Sequence, residues 1–334
     1  MSIIQTRRRF ISTLASTGLA GLTPSLRALA AEDAIEPPPE TTTVRLPRQP
    51  VICFAPQYVC EELLRIEGFT DIRYLDADGP TMSQDLGRGK FDFLATISMQ
   101  AIVAIDGGAP IAILSGVHAG CYELFGREGI HGIADLKGKK VGLTATPELM
   151  QMMAAYVGLD PKRDLTLVSA PETKPLELFV EGKVDAYLAL PPEPQQLHAR
   201  KVGHVIVRTS VDRPWSQYFC CMLAGNREFV ARYPAATKRV VRAFLKAADL
   251  CANEPERAAR QLVEGGFTER YEYALQTLNE NPYGQWREYD AEDSVRFYAL
   301  RLHELGMIKS NAKRIIANGT DWRFLNELKR ELKA

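Results

Sequence analysis

The sequence has no apolar run beyond its first thirty residues long enough to cross a membrane, no surplus of either charge over its full length, and no cysteine pair at metal-site spacing. The first absence argues against a transmembrane helix, which needs about 20 consecutive apolar residues. The second, 41 basic against 41 acidic residues, argues against a nucleic-acid partner, because a phosphate backbone is bound by a basic surface. The third leaves six cysteines without a CxxC pair or a local Cys/His cluster, so neither a structural metal nor a cofactor is expected.

The first thirty residues are different. Thr6-Arg7-Arg8-Arg9-Phe10-Ile11 opens a weakly apolar stretch, Leu14 to Leu22, and Ala28-Leu29-Ala30 supplies a small-x-small cleavage pattern. This reads as a twin-arginine export signal (residues 1–30) and places the mature protein, from about Ala31, in the periplasm. The leader holds four Arg and no acid, which leaves 37 basic against 41 acidic residues, net about −4. Glu36-Pro37-Pro38-Pro39-Glu40-Thr41-Thr42-Thr43 cannot build a core, and residues 31–48 are expected to be a flexible tether. Twin-arginine substrates cross already folded, from a reducing compartment, so most of the cysteines are expected to act as small buried hydrophobes.

One phrase occurs twice: Gly89-Lys90-Phe91-Asp92-Phe93-Leu94-Ala95 and Gly182-Lys183-Val184-Asp185-Ala186-Tyr187-Leu188-Ala189. In each, Gly closes a helix, an apolar strand follows, and one Asp sits beside its start, as at equivalent corners of two α/β lobes. Around the first copy, strands are expected near Val51–Ala55 and Ile72–Leu75, with helices near Gln57–Glu67, ending near Leu86, and from about Ser98. Around the second, strands are expected at Lys140–Leu143 and Leu165–Val168, and helices at Pro147–Val157, Pro175–Val180 and through Leu197. This is the rhythm of a parallel sheet. Ile111–Gly126 and Gln217–Gly225 read as long strands crossing between lobes. Helices Ala235–Ala252, Ala291–Leu305 and Trp322–Lys333 then form a tail. The expected division is 49–120 as the first part of lobe one, 121–217 as lobe two, and 218–334 as the return to lobe one with its helical tail.

The repeat strand followed by Ala101-Ile102-Val103-Ala104-Ile105-Asp106-Gly107-Gly108-Ala109-Pro110-Ile111, then Ile133-Ala134-Asp135-Leu136-Lys137-Gly138-Lys139-Lys140-Val141-Gly142, then Gly182-Lys183-Val184-Asp185-Ala186, resembles the periplasmic solute-binding proteins of ABC importers. The similar branch handles nitrate, alkanesulfonates, taurine and thiamine-pyrimidine precursors, and the resemblance runs from about Val51 to Phe229. It implies an α/β type II periplasmic binding fold with two lobes, a two-strand hinge, and a closed form that docks as a monomer on a permease and ATPase complex.

In open α/β sheets ligands collect beyond the carboxyl ends of strands. That rule selects Gln57 and Tyr58, Thr96 and Ser98, Thr144 and Thr146, and Glu193 as ligand-binding candidates, with His118, Trp215 and Tyr218 at the crossings. Several have a structural alternative: Thr146 before Pro147 and Ser98 before an apolar run are helix starts, and Glu193 is a first-turn acid. Glu193 and the lack of Arg in these loops favour a neutral or amine-bearing planar solute, held between aromatic rings, over a bare oxyanion. A disulfide joining Cys121 to Cys220 or Cys221 could span the hinge. Two rival functions stand beside import. One is a Cys-dependent enzyme of the same fold, with Cys53 or Cys60 as nucleophile; the other is a periplasmic sensor.

Overall fold

The computed structural model describes residues 36–332 apart from Pro50 and Asp78. The arginine motif, the expected cleavage near Ala31 and the final residue of the helix expected to end at Lys333 lie outside these residues.

Strand β1 (Thr43–Arg48) buries Val44 and Leu46 completely while Thr43 and Arg45 stay half-buried, the alternation of a one-sided strand. After it come helices α1 (Ala55–Val59) and α2 (Glu61–Ile66), then β2 (Asp71–Asp76), which pairs in parallel with β1. Two expectations are corrected here. The segment 31–48 is not all tether, and the apolar run Val51–Ala55 is not the first strand but a 3-10 turn, Ile52–Phe54, leading into α1. A short apolar run marks a buried helical turn as readily as a strand, and Pro56 in the first turn of α1 lacks only an N–H that a helix start leaves unused.

Helix α3 (Met82–Gly87), strand β3 (Phe93–Ile97), helix α4 (Ser98–Asp106) and strand β4 (Ile111–Ala119) follow. The strand expected over Ile111–Gly126 is broken: β5 (Glu123–Gly126) is separate from β4 and lies in another sheet. The second lobe continues with β6 (Lys139–Leu143), α5 (Pro147–Tyr156), β7 (Leu165–Val168), α6 (Pro175–Val180), β8 (Ala186–Ala189), α7 (Glu193–Arg200) and β9 (His204–Arg208). The chain then returns through β10 (Phe219–Asn226). Among the described residues, β10 lies between β3 and β4, antiparallel to both, while the second sheet has the order β7-β6-β8-β5-β9. The two passages between sheets run side by side. Backbone N–H groups of Cys121 and Tyr122 donate to Thr209 Oγ1 (3.0 and 2.8 Å), and Thr209 N donates to Tyr122 O at 2.9 Å.

The repeated phrase builds the same corner twice. Gly89 and Gly182 adopt φ of +77° and +79°, where a Cβ is strained. Asp92 N donates to Arg45 O (2.9 Å) and its carboxylate accepts from Arg45 N (2.7 Å). Asp185 N donates to Lys140 O (2.8 Å) and its carboxylate accepts from Lys140 N (2.8 Å). Each Asp thus clips the incoming strand to the one beside it. Asp92 is nearly fully buried and also takes the Arg45 guanidinium at 2.6 Å, whereas Asp185 is half-buried. Asp92→Ala leaves a backbone N–H without its acceptor and is expected to cost about 1–3 kcal/mol in chemical denaturation, more than Asp185→Ala. Equal costs would remove burial as the reason.

The tail consists of α8 (Arg227–Arg232), α9 (Pro234–Asn253), α10 (Pro255–Glu264), α11 (Tyr271–Glu280), α12 (Ala291–Glu304), α13 (Ala312–Gly319) and α14 (Arg323–Glu331). Helix α9 places Val240, Val241, Phe244, Leu245, Ala248 and Cys251 on one stripe, fully or almost fully buried in the first-lobe core. No described helix is long and apolar enough to cross a membrane.

Candidate functional site

The first-lobe candidates are committed to their own lobe. Gln57 is fully buried; its amide nitrogen donates to Pro47 O (2.9 Å) and its amide oxygen accepts from Ala95 N (2.8 Å), joining the end of β1 to β3. Tyr58 donates its hydroxyl to Gln49 O and accepts from Gln49 N at 3.0 Å, with its ring stacked on Phe267 at 3.8 Å. Burial raises its phenol pKa. Ser98 Oγ donates to Phe219 O at 2.6 Å, and Thr96 lies against Ser83 at 3.4 Å. At the crossings, Trp215 is buried edge-on to Tyr156 and Phe297, and Tyr218 stacks on Phe297 at 3.9 Å. One face of Tyr58 is therefore covered by Phe267 and one face of Tyr218 by Phe297.

In the second lobe the structure brings Thr144 and Glu193 together at the carboxyl ends of β6 and β8. Glu193 accepts from Thr144 Oγ1 (2.6 Å), Tyr187 OH (2.7 Å) and Leu190 N (3.0 Å), so its carboxylate is already occupied within the lobe. Thr146 instead meets Tyr122 from the crossing turn, hydroxyl to hydroxyl at 2.5 Å. Burial pushes the Glu193 carboxyl up, by more than its three hydrogen bonds hold it down. Because the native pKa is raised, the favourable contribution is fully present below the ordinary carboxylate value and is lost as pH rises through the native one. Wild type should thus gain stability relative to Glu193→Gln as pH falls from neutral. Urea unfolding of the pair at several pH values checks this, and a pH-independent difference contradicts it.

Between the lobes lies a small cavity of about 10 Å³ lined by Cys121, Tyr122, Glu123, Pro191, Pro194, Gln195, Ser210, Glu280 and Asn281. It has room for one water at most. None of the ten ligand-binding candidates lines it. Its wall joins α7 of the second lobe to the end of α11, with Gln195 Nε2 donating to Glu280 Oε2 at 3.2 Å. Gln195 and Asn281 are 2% and 7% exposed, yet the Gln195 amide oxygen and the Asn281 amide nitrogen have no hydrogen-bond partner. Buried polar atoms are rarely left unpaired, so this one acceptor and one donor are positions that a bound solute or a water would satisfy. Glu123 lies with Arg208 Nε and His198 Nε2, each at 2.7 Å. Signals for the missed residues existed: Gln195 follows the strand-end loop Pro191-Pro192-Glu193, and Asn281 opens a helix break.

Beneath the cavity, Cys53, His118, Cys121 and Cys221 converge, with ligand-type atoms all within 4.8 Å of one another. Spacing along the chain does not reveal this cluster, since its members come from separate segments. All six cysteines are buried free thiols, and Cys121 Sγ lies 3.5 Å from Cys220 Sγ. Burial alone would push every thiol up. For Cys53, the neighbouring Cys121, Cys221 and His118 outweigh burial and hold it well below the ordinary value, while Cys121 and Cys221 are pushed well above it. His118 is raised, because the neighbouring Cys53 outweighs the burial that disfavours its charged form. Cys60 and Cys251, away from the cluster, are raised by burial.

Residues 131–264 match the model of the NMT1-like family. A candidate binding protein of Brucella abortus is 26% identical over 202 residues, covering 58% of this chain and 62% of the relative, so the matched region spans about three fifths of the relative's length. The periplasmic nitrate-binding protein NrtA from Synechocystis superposes with a TM-score of 0.75 at 16% identity, covering 89% of this chain and 90% of the other. The alkanesulfonate-binding protein SsuA from Xanthomonas axonopodis, bound to MOPS, superposes with 0.67 at 16% identity, covering 81% and 96%. The chain has the two-lobed α/β periplasmic-binding-protein fold of these structures.

Proposed function

We propose that the protein is the solute-binding component of an ABC importer, capturing a small organic solute between its lobes and delivering it to a membrane permease and ATPase. The observation that carries this reading is the cavity between α7 and α11, where Gln195 and Asn281 each present a buried polar atom without a partner. A cavity this small takes a solute only when the lobes part and then close part-way onto it, standing further apart than they do here, the hinge movement that two sheets joined by paired passages allow. Fold-level likeness to nitrate- and alkanesulfonate-binding proteins supports the class of function and leaves the solute to be argued from the lining.

That lining holds the carboxylates Glu123 and Glu280, the amides Gln195 and Asn281, and no Arg or Lys. A bare oxyanion finds no cation there, whereas an N–H-bearing solute finds acceptors. The solute class is therefore amine-bearing or heterocyclic, and the residues that select it are Glu280, Gln195 and Asn281, not Glu193. In this reading the protein is an exported periplasmic monomer that binds without catalysing. Calorimetry against amines, pyrimidines, alkanesulfonates and nitrate tests it: nitrogen-bearing solutes are expected to bind. Tight binding of alkanesulfonates or nitrate alone would overturn the assignment.

A further inference from the structure

We propose that Cys53, His118, Cys121 and Cys221 form a four-coordinate site for a thiophilic divalent metal ion, zinc(II) in the first instance, fastening the passage between the lobes to the first-lobe sheet. Cys53 comes from the turn before α1, and His118 and Cys221 occupy opposed positions on β4 and β10. Cys121 comes from the passage itself. Their ligand atoms lie within 4.8 Å of one another. A tetrahedral ion with Zn–S bonds of about 2.3 Å holds its sulfurs roughly 3.8 Å apart, so the site closes on an ion with small side-chain movements.

The histidine is set for the role. His118 Nδ1 lies 2.8 Å from Gly120 O, and a carbonyl oxygen only accepts, so Nδ1 carries the hydrogen. The lone pair is then on Nε2, which is buried and without a hydrogen-bond partner. One nitrogen tied to a backbone acceptor and the other presenting a lone pair is the arrangement of a metal-bound imidazole. Cys220, 3.5 Å from Cys121 and 4.0 Å from Cys221, sits where its S–H can support the bound thiolates.

A nucleophilic role for Cys53 fits less well, although His118 beside it supplies the base that its sequence neighbours lack. A nucleophile must meet its substrate, and all four residues are 5% exposed or less. Metal loading is balanced simply: the divalent ion is bound by neutral imidazole and three thiolates, and every proton still held by the three thiols, together with the second proton of the imidazole where it is charged, leaves to solvent. Affinity therefore rises with pH. Export of an already folded chain, the reading given to the Thr6–Ile11 motif, would let the site fill in a reducing compartment.

The proposal goes beyond the solute-binding reading, and its ligands differ from Gln195 and Asn281, so either can fail alone. The test is metal analysis of the full chain purified without chelator, followed by cobalt(II) addition to metal-stripped, reduced protein. Expected are stoichiometric zinc and a near-ultraviolet thiolate-to-cobalt charge-transfer band. Cys221→Ser and His118→Ala should each lose at least the roughly 10–100-fold in affinity that loss of an outer-shell partner costs. Should a variant fail to fold, wild type still decides the matter, through denatured thiol titration with and without bound metal. Absence of metal uptake by the reduced protein, or a Cys121–Cys220 disulfide in the exported protein, overturns the proposal.

Discussion

Gly120→Ala is expected to destabilise the protein by about 2–5 kcal/mol, combining roughly 1–2 for a left-handed non-glycine residue with roughly 1–3 for overpacking. Gly120 has φ of +50°, and a Cβ there would sit 2.3 Å from Ser210 N and 2.4 Å from Ser210 Cα. The obstruction is backbone, so no rotamer change relieves it. The two passages between sheets would have to separate, breaking the bonds of Cys121 and Tyr122 to Thr209 and displacing Cys121 from the thiol cluster. Chemical denaturation measures the loss. A variant within about 0.5 kcal/mol of wild type, the range of ordinary surface changes, would show that the passages are not packed as described.

Gln195→Ala and Asn281→Ala should each weaken solute binding by about 10–100-fold, since a buried donor or acceptor left unsatisfied in the complex costs roughly 1–3 kcal/mol. Solute-free Asn281→Ala should keep its stability or gain some, because it removes a buried polar atom that has no partner there, and Gln195→Ala should lose no more than its Nε2 bond to Glu280, about 0.5–1.5 kcal/mol. Reduced affinity together with undiminished stability is the mark of a residue kept for its ligand. Glu193→Gln provides the contrast, because its carboxylate is taken up by Thr144, Tyr187 and Leu190, and affinity should stay unchanged. Calorimetry with the preferred solute and urea unfolding on the same variants separate the two effects. Loss of stability without loss of affinity at Gln195 would return that residue to packing.

The repeated Gly-Lys-x-Asp phrase was legible because each part has a local job: Gly reverses the chain and Asp clips the next strand. Helix α9 was legible from its apolar stripe, and β7 and α6 from runs bounded by turn residues. Strand β1 was misread because Pro- and Thr-rich flanks imitate a tether, while its pairing with β2 is non-local. The short edge strand β9 was missed; only pairing to β5 defines it. The strand-end rule picks out loops and leaves open where their side chains turn. Gln57, Tyr58 and Ser98 turn inward to backbone acceptors, whereas Gln195 and Asn281, the pair proposed to meet the solute, come together only through an encounter between α7 and the tail that no local pattern encodes. The Cys/His cluster was hidden for the same reason.

Small-angle X-ray scattering of the full exported protein, before and after addition of the solute that calorimetry identifies, addresses the hinged-capture account directly. Solute should shrink the radius of gyration of wild type, and Gln195→Ala should require correspondingly more solute for the same change. Scattering that stays constant at saturating solute, with binding intact, would contradict closure of two lobes on the cavity between α7 and α11.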